Sequence, residues 1–579
     1  MFLSTDHEEI RNPAAVDAPR AGRREWIGLA VIALPCLLYA MDLTVLNLAV
    51  PQLSADLQPS STQLLWIVDI YGFVVAGSLV TMGTLGDRIG RRRLLLLGAT
   101  AFGIASVLAA YATSPGLLIA ARALLGVAGA TLAPATLSLI RNMFLDPRQR
   151  TLAIAVWVTS FSAGGAIGPM AGGVLLEFFW WGSVFLLAVP VMALLLVVGP
   201  VLLPEYRDPQ AGRLDLISAA LSLAAVLLVI YGLKQLVQDG LGWPPALSTA
   251  AGVAVGVVFL RRQRTLADPL LDLRLFRSPA FSASLTTYML GILVVFGAFL
   301  FIAQYLQSVL GLSPLQAGLW MLPEADGFVV GSMLAPLLVR RARPSWVMAA
   351  GMALAAVGFG LLTQVEGGSG PAVLVTGSVV LSLGLAPVVT LATDLIVGAA
   401  PPERAGTASA ISETGAEFGG ALGIAVLGGI GTVIYRGQLA DSAPAGVPSA
   451  AAAAARDTLG GAAAVANQLP DQLGAALLAA AREAFTQALH ATAAISAACT
   501  LGIAILAAVL LRPVRTGARP ERSPAPNPGG ACAGKVGVVK VSTAALPGRE
   551  QGHDDAGPAA VTTGRDMDTP PRLSGPDAR

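Results

Sequence analysis

The chain has 579 residues, 55% of them hydrophobic and only 12% charged, with a formal net charge of +2 and a mean hydropathy of +0.70. Soluble domains carry roughly a quarter charged residues, and a soluble chain of this length would divide into several domains, each needing a polar surface. That class is excluded, and a membrane solvent removes the requirement for such a surface.

Residues 1–25 are polar and mixed in charge, without the apolar core and cleavage site of a secretory signal. Residues 1–26 are expected to be a cytoplasmic N-terminal segment followed by an uncleaved first span. A span needs about 20 apolar residues, because roughly 1.5 Å of rise per residue must cross about 30 Å of hydrocarbon. Fourteen segments meet this: 27–50, 63–83, 94–112, 116–139, 152–175, 181–203, 214–236, 246–262, 281–304, 314–339, 345–365, 371–396, 406–435 and 486–511. The Ala-rich stretch at 448–466 is not counted, since Arg456 and Asp457 favour a helical or loose external loop, placed at 437–485. The tail 512–579 is rich in Gly, Pro and charge without apolar periodicity, and reads as a disordered cytoplasmic segment.

The arginines supply direction. Alternate loops carry Arg88, Arg91, Arg92 and Arg93; Arg141, Arg148 and Arg150; Arg207 and Arg213; Arg261, Arg262, Arg264, Arg274 and Arg277; Arg340, Arg341 and Arg343; and Arg404. The intervening loops hold only Lys234, Arg436, Arg456 and Arg482. By the positive-inside rule the arginine-rich side is cytoplasmic, and an even span count puts both termini there. Leu57–Trp66 (LQPSSTQLLW) and Leu312–Trp320 (LSPLQAGLW) form a faint internal repeat, each leading into a span that ends at an arginine cluster. Paired halves build a central site reached from alternate sides. The expected domains are a six-helix half at 27–203, a two-helix insertion at 204–262 and a second six-helix half at 263–511.

Cys36, Cys499 and Cys532 lie far apart with no ligand spacing, so neither a disulfide framework nor a metal site is expected. No nucleophile, metal or nucleotide motif marks an enzyme, and the apolar segments leave no room for an ATPase domain. An ion gradient is left as the energy source.

The loop at 83–93 reads Gly83-Thr-Leu-Gly86-Asp87-Arg88-Ile-Gly90-Arg91-Arg92-Arg93. Its glycines permit a tight turn, and an acid beside a basic run can pair across the membrane face. The full pattern resembles the signature loop of the major facilitator superfamily. Three further segments agree in order: Met41-Asp42-Leu-Thr44-Val-Leu-Asn47-Leu-Ala49-Val-Pro51, Arg122-Ala-Leu-Leu-Gly126-Val-Ala-Gly129, and Gly164-Gly-Ala-Ile-Gly168-Pro169-Met-Ala-Gly172-Gly173. They are similar to the first-helix, buried-arginine and antiporter motifs of that superfamily's fourteen-helix drug:proton antiporter branch.

The resemblance implies an all-α polytopic fold of two six-helix halves with two helices inserted between them. It implies proton-coupled export of amphipathic, cationic drugs across the bacterial plasma membrane, with export of an endogenous metabolite or self-made antibiotic as the alternative. Expected partners are a small-molecule substrate, protons and membrane lipid, with no nucleic acid, no cofactor and a monomeric chain.

Physics gives the buried charges meaning. A charge at a helix centre costs about 2.5–3.5 kcal/mol on insertion scales, so Asp42 and Arg122 each need a reason to be there. A carboxyl poised between ionised and protonated states suits Asp42 to proton coupling, against the alternative of a structural pair. Arg122, a permanent cation, needs a carboxylate or several carbonyls; the resemblance implies a share in proton exchange, against a helix-locking ion pair. Trp66 and Asp69 are candidates for the central cavity, or for its hydrated outer mouth. Glu413 and Glu417 stand at i and i+4 on one face, where like charges share a proton; the competing reading leaves Glu413 solvated near a cytoplasmic helix end. Glu324 and Asp326 are about 200° apart around a helix and cannot both face one cavity unless the helix breaks after Pro323. Asp394, near a helix end, reads as a solvated or capping residue. Gly168, Pro169 and Gly172 are expected to bend and pack span five, and Gly83, Gly86, Asp87, Arg88, Gly90 and Arg91 to control the conformational change.

Overall fold

In hydrocarbon every backbone polar group must be satisfied within its own segment or a closed sheet, so a chain this apolar folds as helices. The computed structural model describes residues 19–511 apart from 60, 208–214, 240–241, 267–268, 313 and 367–370. The first 18 residues and the tail 512–579 lie outside the described residues, as do the side chains of Thr44, Asn47, Pro51 and Pro169.

The first half comprises α1 (Arg23–Leu57), α2 (Ser61–Ile89), α3 (Arg91–Ala110), α4 (Pro115–Met143), α5 (Pro147–Phe178), a short α6 (Ser183–Leu186) and α7 (Ala188–Leu202). A hairpin of α8 (Leu216–Asp239) and α9 (Trp243–Gln263) follows. The second half comprises α10 (Pro279–Gln304), α11 (Pro314–Leu338), α12 (Pro344–Leu362), α13 (Ala372–Ala399), α14 (Ala405–Gly423), α15 (Gly429–Ser442), α16 (Ser449–Asp457), α17 (Leu459–Ala466) and α18 (Asp471–Leu510). Among the described residues, fourteen helical segments are long and apolar enough to cross a membrane. α6 and α7 make one of them, and α14 and α15, joined through a π-helical turn at Ile424–Gly428, make another.

Helix starts follow local chemistry. Pro115, Pro147 and Pro279 occupy first turns, where a missing N–H costs nothing. The preceding Ser114, Asp146 and Ser278 cap them by accepting from the N–H of Leu117, Arg148 and Phe281 at 3.3, 2.9 and 3.4 Å. At 437–485 the chain is folded, with α16, α17 and the first part of α18 packed together; alanine is the best helix former. Tyr435 donates to the Ala455 carbonyl at 2.9 Å and Arg482 to that of Ser308 at 3.2 Å, fixing this unit to the ends of α15 and α10.

Small residues let helices approach closely. Gly164, Gly168 and Gly172 form a buried stripe along α5, which continues through Pro169. A Cβ at Gly164 would lie 2.1 Å from the Leu37 carbonyl oxygen on α1, where only backbone could yield. Gly164→Ala is therefore expected to cost about 1–3 kcal/mol by overpacking, seen as a lowered unfolding midpoint in detergent; an unchanged midpoint would show that α1 and α5 are not locked here. Gly415, Gly419 and Gly423 do the same between α14 and α10, with Cβ positions 3.0 Å from Leu285, 2.5 Å from Met289 and 1.9 Å from Leu293.

The halves meet along two seams, α2 with α14 and α5 with α11 and α13. The α8–α9 hairpin packs on α2, where Phe73 and Ala76 meet Val226 and Ile230, with Phe418 and Ala421 of α14 against the same cluster. At the hairpin's foot Arg262 donates to Asp215 at 2.8 Å, and this hydrogen bond holds the Asp215 carboxyl down at about 2. A depressed folded-state value means the pair's contribution is complete above the ordinary carboxylate range near 4 and is lost as pH falls through about 2. Asp215→Asn is thus expected to lower stability at neutral pH and to match wild type near pH 2, as checked by paired thermal melts.

Candidate functional site

Three constellations of charged residues stand out, two of them along the interface between the halves. The first closes the arginine-rich end. Asp87, at the last turn of α2, is 4% exposed, and its carboxylate accepts from Gly406 N at 3.0 Å, Thr407 N at 2.9 Å and Thr407 Oγ1 at 3.1 Å. These are first-turn donors of α14, which carry the positive end of the helix dipole. Arg91, fully buried, pairs with Asp87 at 2.9 Å and donates to the Pro402 and Glu403 carbonyls at 2.5 and 3.2 Å. The signature loop of the first half thus grips the start of α14 in the second.

Its glycines have separate tasks. A Cβ on Gly83 would sit 2.5 Å from the Gly406 carbonyl oxygen, so α2 and α14 touch backbone to backbone. Gly90 holds φ +113° before α3, a conformation that L side chains avoid. Gly86 packs against Leu94, and Arg88 is half-buried at the same turn.

A second bridge joins α5 to α13. Arg150 donates to Asp394 at 2.7 Å and Thr151 to its other oxygen at 2.7 Å. Asp394 is 8% exposed, so it is neither solvated nor a cap. Arg404, just before α14, pairs with Asp272. The arginine-rich end is sealed by charge from both seams.

The second constellation lies inside the first half. Asp42 at the middle of α1 accepts from Arg122 Nη1 at 2.8 Å. Arg122 also donates to the α2 carbonyls of Ile67 at 2.9 Å and Val68 at 3.3 Å, and lies 5.0 Å from the Tyr71 ring centre. The arginine therefore has both a carboxylate and carbonyls. Loss of the Asp42 charge would leave it anchored to α2.

The third constellation lies on the second half and faces α1 of the first half. Glu413 and Glu417, at i and i+4, share one side of α14. Tyr39 of α1 donates to Glu417 at 3.3 Å, and its ring lies 5.7 Å from Phe161 and 5.9 Å from Tyr71. Glu413 Oε1 is buried without a hydrogen-bond partner among the described residues, contrary to a solvated helix-end acid. On α11, which stays helical through Pro323, Glu324 accepts from Ser382 of α13 at 3.3 Å and Asp326 is exposed. The two diverge as their spacing requires. Trp66 stacks on Tyr231 of α8 at 6.1 Å and shares a stripe of α2 with Asp69 and Phe73 that meets the inserted hairpin. The structure thus brings Asp42 to Arg122 and Tyr39 to Glu417, and stacks Trp66 on Tyr231.

Sequence reasoning missed Tyr39, Arg150, Thr151 and Asp394. One signal was legible for Asp394, an acid followed by the apolar run Leu395–Ala400 that solvation does not explain.

Two helical halves with intramembrane acids between them and a charged seal at one end define a membrane transporter, not an enzyme. The chain belongs to the major facilitator superfamily, whose family model, described as Major Facilitator Superfamily, matches residues 32–424. It is 45% identical over 493 residues to the multidrug efflux pump LfrA of Mycolicibacterium smegmatis, covering 85% of this chain and 97% of that one. It is 39% identical to the methyl viologen resistance protein SmvA of Salmonella typhimurium, covering 80% and 93%. It is 33% identical to the tetracenomycin C resistance and export protein of Streptomyces glaucescens, covering 74% and 80%. In fold it resembles the human organic anion transporter MFSD10 (TETRAN), with a TM-score of 0.52 and 18% identity over 83% of this chain and 99% of that one.

Proposed function

We propose that this protein exports amphipathic, cationic organic compounds across the bacterial plasma membrane in exchange for protons. Its arginine-rich end and both termini would lie in the cytoplasm. The observation that carries the substrate reading is the Glu413–Glu417 pair on one face of α14, with one carboxylate oxygen buried and unpartnered beside the aromatic wall of Tyr39 and Phe161. A desolvated carboxylate is costly unless a cation or a proton compensates it. Either ligand satisfies the pair, and the two exclude one another, which is the requirement for exchange. Relatives named for multidrug efflux and methyl viologen resistance support the export direction and the substrate class.

Each elementary charge moved across 100 mV is worth about 2.3 kcal/mol, so the proton:substrate ratio sets the attainable gradient. Asp42 and Arg122 serve as the proton-coupling pair in this reading, with Glu417 coupling protons and substrate together. Glu324 adds a further acid on the second half. Transport needs no cofactor, and a single chain suffices.

A second reading, export of a self-made antibiotic, is supported by the relatives named for tetracenomycin C export and as a probable actinorhodin transporter in Streptomyces. One experiment separates them. In inside-out vesicles energised with a pH gradient, ethidium and quaternary ammonium compounds are expected to dissipate the gradient, and Glu417→Gln to weaken the response about tenfold or more, the scale of one lost charge-assisted contact. Dissipation by a neutral or anionic metabolite alone would overturn the cationic reading.

A further inference from the structure

Asp42 has a second neighbourhood, on the side away from the interface between the halves. A cavity of about 20 Å³ is lined by Leu38, Asp42 and Val45 of α1, Phe102 and Ser106 of α3, and residues of α6 and α7 including Phe185. Every residue lining it belongs to the first half, so it is separate from the acids of α11 and α14. Its walls are apolar except for Asp42 and Ser106.

Ser106 is set apart by lining this cavity beside a carboxylate. Some hydroxyls in these spans return to the carbonyl one turn back, as Thr84 does to Val80 and Thr136 to Leu132, and others, Ser138 and Ser284 among them, are buried without a partner. Ser106 is 1% exposed, yet makes no hydrogen bond among the described residues. A buried hydroxyl costs free energy unless it is paired, and helical serine pairs with its own backbone at little strain. A Ser106 hydroxyl left open in a cavity beside a carboxylate points to a ligand there. A water molecule needs about 10–15 Å³ of such space and two to four polar partners, and this cavity supplies both.

We propose that one water molecule occupies this cavity, bridging Ser106 and Asp42, and that protons reach Asp42 through it within the first half rather than through the substrate path. The proposal rests on the proton-coupled reading above and adds a route to it. The water gives one proton to the Asp42 carboxylate and takes another from solvent, so it is left unchanged. Ser106 orients the water and is not itself ionised. Asp42, once neutral, loosens from Arg122, which stays on the carbonyls of Ile67 and Val68. The groups facing Asp42 are Arg122 from α4, with Tyr71 of α2 over the guanidinium; the cavity walls of α3, α6 and α7 present no titratable side chain.

The test uses the full-length protein in proteoliposomes, with ethidium as probe. Ser106→Ala removes the water's partner, and Ala188→Val fills the cavity from α7 while keeping the Ser106 hydroxyl. Each is expected to slow pH-driven export about tenfold, the scale of one lost hydrogen bond to a charged group. The solvent deuterium isotope effect should rise as proton delivery becomes limiting, with substrate counterflow, which moves no net protons, unchanged. Ser106→Thr, which keeps the hydroxyl, is expected to retain the wild-type isotope effect. If either slowing variant shows the wild-type rate and isotope effect, the water route is overturned. Equal slowing of driven export and counterflow would reduce Ser106 to packing and overturn it too. If Asp42→Asn exports normally under a pH gradient, the coupling reading itself fails, an outcome distinct from a normal Ser106→Ala beside an inactive Asp42→Asn.

Discussion

Asp42→Asn is expected to abolish pH-driven export while leaving the protein inserted and able to exchange substrate for substrate. Asparagine keeps the volume of aspartate and one hydrogen-bond acceptor, but it carries neither a charge nor a transferable proton. Removing one member of a buried ion pair typically costs about 3–5 kcal/mol. Here the loss is softened, because Arg122 also donates to Ile67 and Val68 on α2. The helices should therefore stay in place while the cycle loses its coupled step. Reconstituted vesicles given an external acid jump provide the measurement, with ethidium counterflow as the control. Driven export within twofold of wild type would remove Asp42 from the coupling mechanism.

The second large effect is expected at the seal. Asp87→Ala strips three hydrogen bonds from the start of α14 and leaves the buried Arg91 with carbonyl partners but no carboxylate. Hydrogen bonds to charged groups contribute about 1.5–3 kcal/mol each, and not all of that is recovered by water when the end opens. A net loss of about 3 kcal/mol in the closed form shifts the opening equilibrium roughly a hundredfold. Spin labels at exposed positions on the arginine-rich ends of α3 and α11 would report this as a longer-distance population. The substitution should act on conformation and leave Asp42 and Arg122 paired. A distance distribution identical to wild type would mean that Arg150 and Asp394 hold the end closed by themselves. In that case Asp394→Asn should open it.

Much of this was legible from residue order alone. The fourteen segments follow from apolar run length, and the paired halves from the repeat at Leu57–Trp66 and Leu312–Trp320. Glu324 and Asp326 were separable by helical angle, and the structure turns them apart. Asp42 and Arg122 were each recognisable as an intramembrane charge that needed a partner, although their pairing joins α1 to α4 across 80 residues of sequence. The Arg150–Asp394 bridge spans 244 residues, and no local pattern marks which distant loop an acid will meet. Trp66 shows the opposite limit. An aromatic residue in a span looks the same whether it lines a cavity or stacks on a neighbouring helix, and here Tyr231 of the inserted hairpin stacks on it.

That hairpin makes the two flanks of the molecule unequal. It lies over the meeting of α2 and α14, with its aliphatic side chains packed among Phe73, Ala76 and Phe418. At the other flank α5 and α11 meet directly, and among the described residues no inserted hairpin covers them. A hydrophobic compound already dissolved in the bilayer would find one flank shielded and the other bare. Lateral capture from lipid, wherever it occurs, is thereby given a side. The two extra helices act as a one-sided lipid shield on an otherwise twofold scaffold.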